Sequence, residues 1–367
     1  MYNTDRRIVI TLDAGGTNFV FGAMRAGEYI SETITYPSNA HDLDLCLSTM
    51  VRGFKEIIAG LPESPVAISF AFPGPADYPN GIIGGYLPNF LSFRDGVALG
   101  PFLEDTFGIP VFINNDGDLF AYGEALCGAL PDINSRLEAA GSKKRFKNLL
   151  GYTFGTGFGV GMVVGNRLNR GDNSCVETFC LRHKHNPEMI VEEGVAVRAL
   201  RRLYGNYSGD VAHDFQPKEI SEIARGQREG DRTAARRAFA EFGEVAGDAI
   251  ATAVTLVDGL VVIGGGITAS SDLIMPALLA EMKSEMTTAD GSRLNRVQME
   301  VYNLDDPAEF DKFASGASRK IKVYGSDRYV DYDSCKRIGV IISKLGASRA
   351  ISLGAYTFAL DSLDNMQ

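Results

Sequence analysis

The chain opens on an apolar run from Ile8 to Leu12, closed by Asp13, and then turns through Ala14-Gly15-Gly16-Thr17-Asn18. Short apolar runs bounded by turn residues read as buried strands. Residues 7–13 and 19–24 therefore predict a glycine-turned hairpin, and the alternating residues 28–36 a third strand. Helical spacing sets in over 42–59, where Leu43, Leu47, Met50, Val51, Phe54 and Ile57 share a face. Residues 66–72 predict a buried strand, 93–107 contain a helix, and 110–114 form a further strand.

The opening pattern then recurs. Ile10 to Met24 is echoed from Tyr152 to Val164, again as strand, Gly/Thr turn and strand. A period this long is no solenoid; it points to two related halves. The second half is mostly helical, over 187–204, 217–225, 233–257 and 272–286. It is interrupted by one strong strand from Gly259 that ends in Gly264-Gly265-Gly266. Residues 305–337, rich in charge, Ser and Tyr, read as a surface excursion, and 348–363 as a closing apolar helix. Strands alternating with helices predict α/β sheets covered by helices.

Composition narrows the class. With 367 residues, 45% of them hydrophobic and 22% charged, the chain can bury two ordinary cores. A net charge of −10 argues against nucleic acid or a membrane surface as a general partner. The first apolar run is too short for a signal-peptide core, and none approaches the ~18 residues of a membrane span. A cytoplasmic location is expected. Five scattered cysteines without a CxxC pair predict reduced thiols, not a disulfide framework.

Four motifs can carry chemistry. Asp13 to Asn18 ends a strand with glycines that let backbone approach a polyphosphate, and Asp13 can hold the waters of a Mg²⁺ ion. The plainer alternative is an ordinary hairpin turn. Gly155-Thr156-Gly157-Phe158-Gly159-Val160-Gly161 has strands on both flanks, so it is not a Rossmann site, and no GxxxxGK[ST] occurs. It remains a second turn that can present N–H groups to phosphate, and the two turns together suggest a cleft gripping ATP from both sides. Asn115-Asp116-Gly117-Asp118 follows a strand and opens a helix. Asp116 there can accept a hydroxyl proton during phosphoryl transfer, or the segment merely caps the helix. Gly264 to Gly266 leaves a flat backbone surface for a purine, or is a simple strand exit.

In this order the four motifs resemble the ROK family of repressors, open reading frames and kinases, across roughly residues 7–304 and 338–362. The resemblance implies a two-domain actin-like ATPase (ribonuclease H-like) fold with the active site in the interdomain cleft. It places residues 1–116, completed by a helix over 347–367, in a small N-terminal domain and 117–346 in a larger one. It implies that Asp13, Gly15, Gly16, Thr17 and Asn18 form the first phosphate motif and Gly155, Thr156, Gly157 and Gly159 the second. Gly264, Gly265 and Gly266 would form the adenosine motif. Asp116 corresponds to the catalytic base, and Asn89, Asn115, Asp116, Glu177 and Glu192 to sugar ligands. The pattern departs at Cys180, where the family has His, and at Ala196, where it has Ser. The Cys-rich zinc loop of many members is missing, so no zinc is expected. Arg182, His183, Lys184 and His185 form a local basic cluster that would favour an acidic or phosphorylated sugar, or is simply solvated.

The implied activity is ATP-dependent phosphorylation of a hexose by a homodimer, with Mg²⁺ accompanying ATP. The alternative is a sugar-binding regulator or sensor of the same family without turnover. Twelve residues precede Asp13, and the expectation is that they leave no room for a DNA-binding domain.

Overall fold

The structure, a computed structural model, describes residues 2–212 and 214–366. The chain divides into two compact units. One comprises residues 1–128, 161–176 and 345–367, the other residues 129–160 and 177–344.

In the first unit, strands β1 (Val9–Ala14), β2 (Asn18–Arg25), β3 (Glu28–Tyr29) and β4 (Ile34–Pro37) lead into helix α1 (Leu43–Ala59). Strand β5 (Ala67–Ala71), helix α2 (Leu99–Phe107), strand β6 (Val111–Asn114) and helix α3 (Asp116–Leu126) follow. The sheet order is β3-β2-β1-β5-β6, with β4 on β2. β1 pairs antiparallel with β2 and parallel with β5, and β5 pairs parallel with β6. α1 is N-capped by Asp42, whose side chain accepts from Leu45 N, and it buries Cys46, Met50, Phe54 and Ile57 against the sheet. The contact is close because Gly53 carries no side chain: a Cβ there would lie 2.4 Å from the Phe21 ring. Phe21, Phe54, Phe70 and Phe72 fill this core, each fully buried.

The C-terminal helix, Ala347–Asn365, packs on α3. The two backbones meet at glycines. A Cβ on Gly123 would lie 2.0 Å from Ala350 O, and one on Gly354 1.9 Å from Leu119 O. Tyr356 ties the same helix to the first hairpin, its hydroxyl accepting from Ala26 N at 2.9 Å.

The second unit begins with helix α4 (Ala129–Ala139), and strand β7 (Leu149–Phe154) leads through the second glycine turn into β8 (Phe158–Val164). Helices α5 (Val197–Ser208), α6 (Pro217–Arg225) and α7 (Arg232–Val257) precede strand β9 (Leu260–Gly264) and helix α8 (Ser271–Met282). Strand β10 (Glu300–Asn303), helix α9 (Pro307–Ser315) and strand β11 (Arg337–Ile342) complete it. The sheet runs β8-β7-β9-β11-β10, with the short strand Arg167–Leu168 on β8. β7, β9, β11 and β10 are mutually parallel. The sequence repeat thus becomes one plan used twice: a glycine-turned hairpin whose first strand then takes parallel neighbours.

Three expectations are corrected. Residues 187–204 are not one helix but strand Asn186–Ile190, a 3-10 turn Val191–Gly194 and then α5. Packing overrides the helical spacing, since Gly194 sits where a Cβ would be 2.5 Å from His183 Nε2. The helix expected over 272–286 ends at Met282, and Glu285–Thr287 instead pairs with Arg293–Asn295. Residues 305–337 are not wholly an excursion. α9 is capped by Asp306 and buries Phe310 and Phe313, while the hairpin Ser318–Lys322/Tyr329–Asp333 is exposed.

The helix contact yields the first prediction. Gly354→Ala drives a methyl group into the Leu119 carbonyl. Overpacking of this kind costs about 1–3 kcal/mol, against a helix-propensity gain of about 1 kcal/mol. A lowered urea midpoint is expected; a midpoint unchanged or raised would show that the helices can separate at no cost.

Candidate active site

The strand register of the first unit brings its motifs to one edge. Asp13 stands opposite Ala71, and Ala71 opposite Asn114, so β1, β5 and β6 end level. Two strand spacings separate β1 from β6, about 10 Å. Beyond these carboxyl ends lie the first glycine turn and the start of α3, where ligands of parallel sheets gather.

The turn is held from its carbonyl side. Ser38 Oγ donates to Gly16 O at 2.5 Å, and Ser38 N to Thr17 O at 2.9 Å. Among the described residues no backbone acceptor takes the N–H groups of Gly15, Gly16 or Thr17. Asn89 lies against the turn, since a Cβ on Gly16 would be 2.9 Å from Asn89 Cβ. Beside them is a cavity of about 430 Å³, walled also by Thr17, Pro37, His41 and Leu91. Thr17 and Asn18 are exposed.

Asn115 is the N-cap of α3; its Oδ1 accepts from Gly117 N at 2.8 Å. Asp116 is the first helical residue, and its Oδ1 also accepts from Gly117 N, at 2.9 Å. The capping role weighed for this segment therefore falls mainly on Asn115, and the Asp116 carboxyl keeps a solvent-exposed face. Crowding by surrounding protein nevertheless raises its pKa, the bond from Gly117 opposes this, and the charge of Asp13 adds to it. Asp13 is itself raised by partial desolvation, although its side chain is exposed.

Beneath Asp116 lies Asp118, buried on the first turn of α3 and pushed up to about 7, first by burial, with Arg170 opposing. Arg170 Nη1 donates to Asn114 Oδ1 at 2.8 Å, and its guanidinium lies 5.3 Å from the Phe358 ring centre. Sequence reasoning missed Arg170. Its signal was a lone Arg between Asn169 and Gly171, with no spacing tying it to Asp118.

In the second unit, Thr153 pairs with Gly264, so the second glycine turn and the triglycine leave neighbouring parallel strands side by side. Gly265 has φ +96°, and a Cβ on it would lie 2.3 Å from Phe154 O, so only glycine fits. Gly266 borders open space and starts a 3-10 turn. At the second turn Gly155 N donates to Gly157 O at 3.1 Å, while Thr156 is exposed. Glu192 Oε2 accepts from Phe158 N at 2.9 Å, so Glu192 lies on this turn. Gly159 is half-buried within β8. Glu177 lies near Tyr152, a buried phenol raised first by burial and further by the Glu177 charge.

Two members of the basic cluster face carboxylates. Lys184 pairs with Glu244 at 2.9 Å and with Glu281, and His185 Nε2 is 3.4 Å from Glu244. His183 is buried, and that burial holds its pKa low. Among the described residues no group of three or more His, Cys, Asp or Glu side chains is placed to hold a metal, and no helix is long and apolar enough to cross a membrane.

Two sheets with the same hairpin-plus-parallel order, each ending in a glycine turn, define the α/β, two-domain actin-like ATPase fold. Residues 9–303 match the ROK family, and the chain belongs to it. A crystal structure of glucokinase from Parabacteroides distasonis superposes with a TM-score of 0.91 and 59% identity, over 98% of this chain and 99% of that one. A ROK family glucokinase from Streptomyces griseus, in complex with glucose and AMPPNP, shares the fold at TM-score 0.61 and 18% identity, over 95% of this chain and 98% of that one. Among curated relatives, a xylose repressor of Bacillus spizizenii is 32% identical over 117 residues, 31% of this chain and 26% of the repressor. The chain thus matches about a quarter of that relative's length.

Asp118 gives a pH prediction. Its folded value of about 7 lies above the ordinary carboxylate value of about 4. The folded state therefore binds the proton longer, and stability falls as pH rises between those values. Asp118→Asn removes this dependence. The melting temperature of the variant relative to the parent should climb from pH 4 to 7 and then level off. Parallel curves would refute the shift.

Proposed function

We propose that this protein is a carbohydrate kinase that transfers the γ-phosphoryl group of ATP to a hydroxyl of a hexose. Support comes from family membership and from the 59% identity to a glucokinase, which makes glucose the first substrate to try. The observation that carries the chemistry is Asp116: a carboxylate with an open face, at a helix start, beside a glycine turn whose Gly15, Gly16 and Thr17 N–H groups have no backbone acceptor among the described residues.

In this reading the sugar hydroxyl oxygen attacks the γ-phosphorus while its proton passes to Asp116. The new O–P bond forms as the bond to the β-phosphate oxygen breaks, and ADP leaves. Burial that raises Asp116 makes it a better proton acceptor than an ordinary carboxylate, provided it is ionised at the working pH. Backbone N–H groups of the glycine turns, Gly15 to Asn18 and Gly155 to Gly159, are the candidate phosphate donors, and developing charge on the transferred group would be met by such donors. Gly264 to Gly266 would carry the adenine. Asn89, Asn115 and Glu177 would hold sugar hydroxyls. Mg²⁺ binds with few protein ligands plus phosphates and waters, which suits a site with Asp13 nearby, and when bound it neutralises phosphate charge. We infer from the family resemblance a cytoplasmic homodimer.

The repressor similarity supports a second reading, a sugar-responsive regulator without turnover. One experiment separates them. ADP release with Mg²⁺-ATP and glucose is expected, and Asp116→Asn should lower kcat by at least about 100-fold while glucose still binds by calorimetry. Turnover in the variant near that of the parent would remove Asp116 from the mechanism, and a parent that binds glucose without releasing ADP would favour the regulator.

A further inference from the structure

We propose that Arg198, acting through Glu192, is a positioning residue for the second glycine turn and thereby sets nucleotide affinity. The inference rests on the reading of that turn as a phosphate-binding element.

Three polar backbone groups of the turn have partners in or beside α5. Val197 N donates to Gly155 O at 2.9 Å. Arg198 Nη1 donates to Thr156 O at 3.2 Å. Phe158 N donates to Glu192 Oε2 at 2.9 Å. The other carboxylate oxygen, Glu192 Oε1, accepts from Arg198 Nη2 at 2.7 Å, and Glu193 Oε1 accepts from Arg198 Nη2 at 2.7 Å and from Nε at 2.9 Å. One guanidinium therefore holds a turn carbonyl and fixes the carboxylate that holds a turn N–H. Gly157 completes the fit, because a Cβ there would lie 2.9 Å from Glu192 Oε2. No backbone acceptor among the described residues takes the N–H groups of Thr156 and Gly157, the donors an anion would use.

The first glycine turn is held by the same logic, with Ser38 on the carbonyls of Gly16 and Thr17. Two unrelated residues thus do one job in the two units, which argues that a fixed carbonyl side is a requirement of these turns. Glu192 changes meaning accordingly. The resemblance implies a sugar ligand, but here both oxygens serve the turn, so its effect falls on the nucleotide. Arg198 is suited to this by its planar, five-donor fork, which a lysine cannot reproduce.

The test uses the full chain and steady-state ADP release, with KM for Mg²⁺-ATP and for glucose measured separately, alongside calorimetric titration of AMPPNP. Arg198→Ala and Glu192→Gln should each raise KM for ATP and weaken AMPPNP binding by about ten-fold or more, the scale of a lost charge-assisted contact. KM for glucose should move less than about two-fold, and Arg198→Lys should not restore nucleotide affinity. A structural defect alone would move both substrates together. Unchanged AMPPNP affinity, full rescue by lysine, or a rise confined to glucose would overturn the proposal. If the parent shows no turnover, the AMPPNP titration still decides: parent binding that weakens in Arg198→Ala upholds the positioning role while the kinase reading fails, and a parent that binds no nucleotide ends both.

Discussion

The site depends on how closely α3 can be buried. Gly117 to Ala125 are buried without a break, so this helix has no solvent face over those residues. A helix enclosed on all sides needs neighbours without side chains at the contacts. Gly123 and Gly354 let the C-terminal helix in. Gly161 lets the returning chain approach within 2.3 Å, measured from an ideal Cβ, of Gly117 O. These contacts surround the first turn of α3, which carries Asp116 and Asp118. A residue that must meet a reacting oxygen within a few tenths of an ångström is best carried by an element with no room to shift.

Burial that fixes α3 also creates the electrostatics. Burial pushes the Asp118 carboxyl up to about 7, and the cation that opposes this, Arg170, is itself half-buried with its pKa drawn down. Arg170 bonds to Asn114, the last residue of the strand that leads to Asp116. Charge beneath the site is thus tied to strand end and helix start together. Asp13 and Asp116 both lie above the ordinary carboxylate range, and Asp13 contributes to the shift of Asp116.

Much of this was legible in the sequence wherever one local signal decided the outcome. The repeated hairpin, the capped helix 42–59 and the strand before the triglycine each rest on periodicity or turn chemistry within a few residues, and each stands in the structure. What escaped reading was decided by partners far away in the chain. Strands Glu300–Asn303 and Arg337–Ile342 are parallel neighbours and the second is buried, yet its first residue, Arg337, almost fully buried and paired with Asp333 at 2.5 Å, reads in sequence as the end of a surface segment. Residues 187–204 carry helical spacing, yet His183 against Gly194 fixes a strand and a turn there. The glycines and Asp116 could be singled out as candidates because phosphate chemistry asks for those residue types. Arg170, Ser38 and Arg198 were not, since they act by holding other groups and any position with the right reach would serve.

The departure at Ala196 fits this division. A serine would be a favourable N-cap for α5, offering a side-chain oxygen to the first N–H groups of the helix. Ala196 is buried, adopts the extended cap conformation and offers none. The first helical N–H, that of Val197, is instead bound by Gly155 O. Gly155 O thus satisfies the N1 donor of α5, and the turn gains an anchor from the helix. Arg198, one residue further along, extends that bond to Thr156 and Glu192. In the folded chain one donor of the helix N-terminus and one carbonyl of the glycine turn satisfy each other.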